Sequence, residues 1–188
     1  MIEILFDISY HFDENLRDIP NNPAQMHQAV EFLQFQLQQE TTERAIIQLL
    51  GLLGVYARML HNFPLAQKAL TSALNLSISV GEEKLIVVNM IRLAHVYQWQ
   101  QQYTKSEELF EEAIIFCQTK PEIYIYLDFA YQHLGKCKFD QKLYEQALYY
   151  FQQAKELRVR KGDSSLIEST QVALNTVNAF INTTSTYN

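Results

Sequence analysis

Glycine and proline are scarce, 5 and 4 in a chain of 188 residues and 22.0 kDa. An all-β protein of this length would need about a dozen turns, and a dinucleotide or phosphate loop needs clustered glycines, so both are disfavoured. Charged residues are also few, 19 %, against 48 % hydrophobic, which argues against extended disorder. Cations are fewer than acids, 15 against 21, for a net charge of -6. A surface that tracks phosphates needs clustered Lys and Arg, and no dense basic run exists, so nucleic acid is not an expected partner. The one basic cluster, Arg158-Val159-Arg160-Lys161, directly precedes Gly162-Asp163, where cations complement the negative end of a helix.

Cys117 and Cys137 are too few for a disulfide framework and lack zinc spacing, so reduced thiols are expected. No window approaches 18 uninterrupted apolar residues, and the N-terminus lacks the basic start of a signal peptide. These absences describe a soluble, cytoplasmic protein without a membrane span. Chemistry is missing too. There is no Gly-rich phosphate loop, no His-Glu-x-x-His, no Gly-x-Ser-x-Gly and no Cys-x-x-Cys. The histidines at 11, 27, 61, 95 and 133 are dispersed rather than held at ligand spacing. Glu107, Glu108, Glu111 and Glu112 lie opposite Phe110 and Ala113 on a helix and read as a solvated outer face. No catalytic residue, cofactor or metal is expected.

What the chain does have is internal repetition. Leu53-Gly54 is followed by Phe63, Ala66, Leu70 and Ala73. The same size classes recur 40 residues on, as Leu93-Ala94, Tyr103, Ser106, Phe110 and Ala113. They recur again 41 residues later, as Leu134-Gly135, Tyr144, Ala147, Phe151 and Ala154. Small residues let paired helices approach closely, and the larger groups between them fill the remaining space. Each unit is a helical hairpin that buries half its apolar face and needs neighbours for the rest.

Helices are expected at 43–60 and 63–79, 82–101 and 104–118, 121–137 and 142–161, with a last one at 165–183. Asn62 is a candidate N-cap, and Thr104, Thr119 and Ser165 stand three residues before a Glu as in capping boxes. Gly81 and Gly162 sit where helices should end. A helix over 23–39 is capped by Asn21 or Asn22. Residues 2–16 carry two patterns: Ile8, Tyr10 and Phe12 alternate like a strand, whereas Ile2, Leu5 and Phe6 are spaced like a helix. The helical pattern is adopted, which makes 1–42 a degenerate N-terminal hairpin before repeats at 43–81, 82–120 and 121–162. Residues 163–183 then form a capping helix and 184–188 a tail. The fold class is all-α, a right-handed superhelical solenoid of antiparallel helical hairpins in a single domain.

The Leu-Gly…Tyr…Ala…Phe…Ala pattern, over roughly residues 43–183, resembles tetratricopeptide repeats. Tyr97 matches their usual tyrosine, four residues after the leucine, while Ala57 and Lys138 depart from it. The spacing of 40 and 41 is similar to the longer-helix type found in kinesin light chains and bacterial peptide-pheromone receptors. The resemblance implies a protein-interaction module. The family's chaperone-binding members hold a carboxylate with Lys and Asn at positions that here are Leu52, Val55, Ile91, His95 and Gln132, so that clamp is not implied.

In such solenoids the first helix of each pair lines the concave side. Gln48, Leu52, Val55, Arg58 and Met59 form one inward stripe. Val88, Ile91, Arg92, His95, Gln98 and Trp99 form the next, and Phe129, Gln132, His133, Lys136 and Phe139 the third. The expected recognition residues are therefore Arg58, Arg92, His95, Trp99, Gln132, His133 and Lys136. A basic, partly aromatic groove of this kind suits an acidic peptide or a free carboxylate. The competing reading is a self-associating scaffold with no peptide ligand, with Trp99 capping a junction between units. It draws on the last helix, where Leu174, Val177 and Ile181 should pack inward and Ile167, Val172 and Phe180 have nothing to cover them: the chain dimerises through this end, is part of a longer array, or packs across another face, and a homodimer is the reading favoured.

Overall fold

A computed structural model describes residues 4–185 of the chain. Two short strands, β1 (Tyr10–Phe12) and β2 (Asp18–Pro20), precede helices α1 (Pro23–Gln39), α2 (Glu43–Met59), α3 (Phe63–Ser79), α4 (Glu83–Trp99) and α5 (Tyr103–Thr119). The short α6 (Pro121–Tyr124), then α7 (Leu127–Asp140), α8 (Tyr144–Lys161) and α9 (Ser164–Ser185), complete the fold. It is an all-α arrangement with one small β-hairpin. The chain divides into two compact units, Met1–Gln101 and Gln102–Asn188.

In the first unit α1 packs on α2, α2 on α3, α3 on α4, and α2 also touches α4. The close approach expected at Gly54 is present: a Cβ there would stand 2.3 Å from Leu70 Cγ. Leu70 is fully buried, and that burial contributes about 1.5–3 kcal/mol. Asn22 and Asn62 cap α1 and α3, their side-chain oxygens accepting from the amides of Gln25 and Leu65. The turns after α2 and α4 and after α7 each place a non-glycine residue in the left-handed region, His61, Gln101 and Lys142 with φ of 59°, 59° and 62°. These positions keep the 40- and 41-residue register.

In the second unit α5 packs on α7, α7 on α8 and α8 on α9. A Cβ on Gly135 would stand 2.7 Å from the Phe151 ring, so the third copy of the repeat has the same close contact as the first. Gly162 closes α8 in the left-handed conformation, φ 74°.

The structure corrects several local expectations. Residues 4–16 are not helical; residues 2 and 3 lie outside the described residues. Ile4, Phe6 and Ile8 turn inward against the α1–α2 core while Leu5, Asp7 and Ser9 face out, so the period is that of an extended segment. The chain then forms an antiparallel hairpin in which Tyr10, His11 and Phe12 pair with Pro20, Ile19 and Asp18. The helix expected over 121–137 breaks after Tyr124 and restarts at Leu127, and Lys161 Nζ captures the Ile125 carbonyl at the break. Thr104 lies inside α5 and caps nothing, Lys120 rather than Thr119 precedes α6, and Asp163 rather than Ser165 accepts from the first turn of α9. Of the tail expected at 184–188, residues 184 and 185 are the end of α9, and 186–188 lie outside the described residues.

Arg158 and Lys161 do more than complement a helix end. Arg158 is 2 % exposed, donates to Asp128 Oδ2 at 2.9 Å and to Thr170 Oγ1 at 2.7 Å, and so ties α7, α8 and α9 together. Lys161 completes the pairing of the buried Asp128. Glu107 likewise leaves the solvated face, meeting Lys138 Nζ at 2.7 Å, while Glu108, Glu111 and Glu112 are exposed as expected. Burial pushes the Cys117 thiol up to about 12 and the Cys137 thiol up to about 11, so both stay protonated and unreactive near neutral pH.

Candidate functional site

The first unit gathers the richest set of polar side chains where α2 meets α4. At one end lies a cavity of about 510 Å³, lined by Gln48 and Leu52 of α2 and by Leu85, Val88, Asn89 and Arg92 of α4. The cavity runs along the stripes expected from helical spacing. Two features shape it. A Cβ on Gly51 would stand 2.3 Å from Arg92 Nη1 and 3.0 Å from Asn89 Oδ1, so the missing side chain makes room for the guanidinium against α2. Asn89 is fully buried; its Nδ2 donates to Ser77 Oγ at 3.2 Å, which in turn donates to the Ala73 carbonyl. Asn89 Oδ1 has no hydrogen-bond partner among the described residues. An unmet buried acceptor costs about 1–3 kcal/mol, a debt that a ligand N–H would remove.

At the other end stand Arg58, His95 and Trp99, which the structure does bring together. All three are buried, at 3 %, 4 % and 3 % exposure. The Trp99 indole N–H donates to His95 Nε2 at 3.0 Å, and Arg58 Nη1 approaches the same nitrogen at 3.5 Å. As an acceptor that nitrogen carries no proton, so the ring is neutral with its proton on Nδ1. The Arg58 guanidinium lies over the Trp99 ring at 4.5 Å, and Arg17 lies 5.2 Å from the same ring. His61 and Phe63 pack on Trp99 at 5.4 and 6.4 Å.

Arg58 does not face open solvent. Its Nη2 meets Asp18 Oδ2 at 2.6 Å, and Asp18 is itself buried on β2. Burial, with the Asp18 carboxylate added, pushes the neighbouring Tyr10 phenol up, against the pull of Arg58. Burial also pushes Tyr56 up, opposed by the Arg92 guanidinium.

The remaining expected residues belong to α7 in the second unit. Gln132 is 3 % exposed, and neither of its side-chain amide atoms has a hydrogen-bond partner among the described residues. His133 stacks on Phe110 with ring centroids 6.4 Å apart and planes 4° from parallel. Lys136 is buried rather than presented on an open surface.

Of the residues expected from helical spacing, Arg58, His95 and Trp99 come together and Arg92 lines the cavity. That spacing missed Asp18, Asn89 and Gly51. Asn89 is a lone amide inside the run Ile86-Val87-Val88-Asn89-Met90-Ile91, and Gly51 is a helix-interior glycine that costs about 1 kcal/mol relative to alanine. Both were signals available in the sequence. Asp18 carried none.

The helical-hairpin fold and the spacing of its close contacts define a class of protein built from repeated helix pairs. Residues 85–160 match the family model described as tetratricopeptide repeat, and that stretch is a tetratricopeptide repeat segment. Among solved structures, BtubC (BKLC) from P. vanneervenii is similar at 16 % identity and a TM-score of 0.49, over 85 % of this chain and 72 % of that one. No curated protein matches the chain. Among the described residues no helix is long and apolar enough to cross a membrane.

Proposed function

We propose that the chain is a non-catalytic peptide-binding module and that its ligand is an acidic segment lying along α2 and α4. The tetratricopeptide fold supports protein interaction in general. The observation that carries the finer reading is the pairing, inside one cavity, of the unmet Asn89 acceptor with the Arg92 guanidinium. A peptide supplies the complement of both: a backbone N–H for Asn89 Oδ1 and a side-chain or terminal carboxylate for Arg92. Leu52, Leu85 and Val88 supply apolar contact beside them. Affinity in the micromolar range, about -8 kcal/mol, is typical of such a site.

The test compares two pools of short peptides, one rich in Asp and Glu and the other with Asn and Gln in their place. The wild-type chain should retain the acidic pool preferentially in an anisotropy titration. Arg92→Glu replaces a charge-assisted hydrogen bond with a repulsion and should weaken that binding about tenfold or more. Equal binding of the two pools would overturn the reading.

A further inference from the structure

The N-terminal hairpin stands where a ligand would be expected to stand. Arg58 is on the same inward stripe of α2 as Gln48 and Leu52, which line the cavity, and its guanidinium already holds a carboxylate at 2.6 Å, that of Asp18. The carboxylate is presented by an extended strand, β2, as a bound peptide would present one. β2 also packs against α2 beyond this ion pair, so the hairpin does not touch the helix at one atom alone.

The hairpin is anchored through its turn and β2: Asp18 is buried and Arg17 lies over the Trp99 ring. Its strands are three residues each, and a two-stranded ribbon is marginal by itself. Leu16 and Pro20 are buried, but Tyr10 is 48 % exposed and His11 is exposed. The buried Arg58–Asp18 ion pair anchors the hairpin, and because a buried charge left alone is costly, Asp18 leaves only when another carboxylate takes its place on Arg58. Leu16 also sits in the left-handed region, φ 61°, where a leucine is strained. The hairpin nevertheless keeps its own shape: Asp13 Oδ1 accepts from the amides of Asn15 and Arg17, and the Asp13 amide donates to the Arg17 carbonyl. These contacts let it move as one piece.

We propose that the Arg58–His95–Trp99 corner is a second carboxylate subsite of the α2–α4 groove, and that Asp18 is its built-in occupant, displaced when an acidic ligand binds. This rests on the peptide reading of the adjoining cavity. The ligand class is thereby narrowed: an extended segment with two acidic groups, one for Arg92 and one for Arg58. The hairpin sets a threshold, since a competitor that fills the subsite nine-tenths of the time lowers apparent affinity about tenfold.

Trp99 is the only tryptophan, so its fluorescence reports on this corner alone. It is buried, and departure of the hairpin removes Arg17 from its ring. Asp18→Asn keeps the side-chain shape but removes the charge that anchors the hairpin. The variant is expected to show red-shifted Trp99 emission, stronger acrylamide quenching and up to about tenfold tighter binding of the acidic pool. In the unmutated chain, saturation with that pool should speed hydrogen exchange at the amides of residues 10–19, a readout that needs no variant to fold. Unchanged quenching together with unchanged or weaker binding in Asp18→Asn overturns the proposal. Loss of discrimination between the acidic and amide pools, with no effect of Arg92→Glu, sinks the cavity reading and this one with it. Retained discrimination with no change in exchange at 10–19 sinks this one alone.

Discussion

Three helix-interior glycines have different neighbours, and the difference fixes the sign of an alanine substitution at each. Replacing glycine by alanine inside a helix gains about 1 kcal/mol of propensity. At Gly54 and Gly135 the new methyl would meet Leu70 Cγ at 2.3 Å and the Phe151 ring at 2.7 Å, both fully buried groups with nowhere to go. Overpacking of this kind costs about 1–3 kcal/mol, so the net effect of Gly54→Ala or Gly135→Ala is loss of stability. At Gly51 the nearest atom is Arg92 Nη1, the far end of a flexible side chain that can swing aside. Gly51→Ala should therefore leave stability unchanged or raise it by up to about 1 kcal/mol in urea denaturation, while weakening the acidic pool in the same titration that tests Arg92. A Gly51→Ala chain that binds as well as wild type would show that the seating of Arg92 against α2 is irrelevant to the ligand. Gly54 and Gly135 were legible from sequence because they recur in register. Gly51 stood out only as a glycine inside a helix; its partner was hidden, since it recurs in no other repeat and that partner is a charged side chain.

Among the elements, the helices from α2 to α5, with α8 and α9, were legible to within two residues at most ends, because the repeat fixes both the small contacts and the turn positions. The N-terminal segment was not. Its inward residues Ile4, Phe6 and Ile8 have a period of two, but Ile2, Leu5 and Phe6 offered a competing helical spacing over the same stretch. The break between α6 and α7 was hidden for a different reason: it is held by Lys161 and Asp128, whose meeting depends on the path of α8. The last helix shows the same limit. Leu174 and Val177 are buried as helical spacing required, but Phe180 is not left uncovered. Its ring lies 5.2 Å from Phe139 and 5.5 Å from Tyr144, closing the end of the α7–α8 pair. Phe180→Asp should thus act as a packing mutation, costing about 2 kcal/mol or more and lowering the melting temperature, with no change in sedimentation coefficient. A change in sedimentation toward a smaller species would instead restore the homodimer through this helix.

At the scale of the whole molecule, the net charge of -6 and Arg92 at the α2–α4 cavity would act on the proposed acidic ligand at different distances. Several of the cations are spent internally: Arg58 on Asp18, Arg158 and Lys161 on Asp128, Lys138 on Glu107. Of the cations expected on the inward stripe, Arg58 is neutralised by Asp18, and Arg92 is the cation at the α2–α4 cavity. The sequence could not show this, because Asp18 and Arg58 lie 40 residues apart and meet only through the course of the hairpin. An approaching acidic peptide consequently feels the overall negative charge first and Arg92 only on arrival. Screening reaches roughly 30 Å at 0.01 M salt and roughly 8 Å at 0.15 M, so added salt removes the long-range repulsion before it weakens the contact. The association rate of the acidic pool should accordingly rise between those two concentrations, with dissociation also becoming somewhat faster, as measured by surface plasmon resonance. An association rate that falls with salt would mean that the chain steers acids toward itself, and that cations outside the α2–α4 groove dominate the encounter.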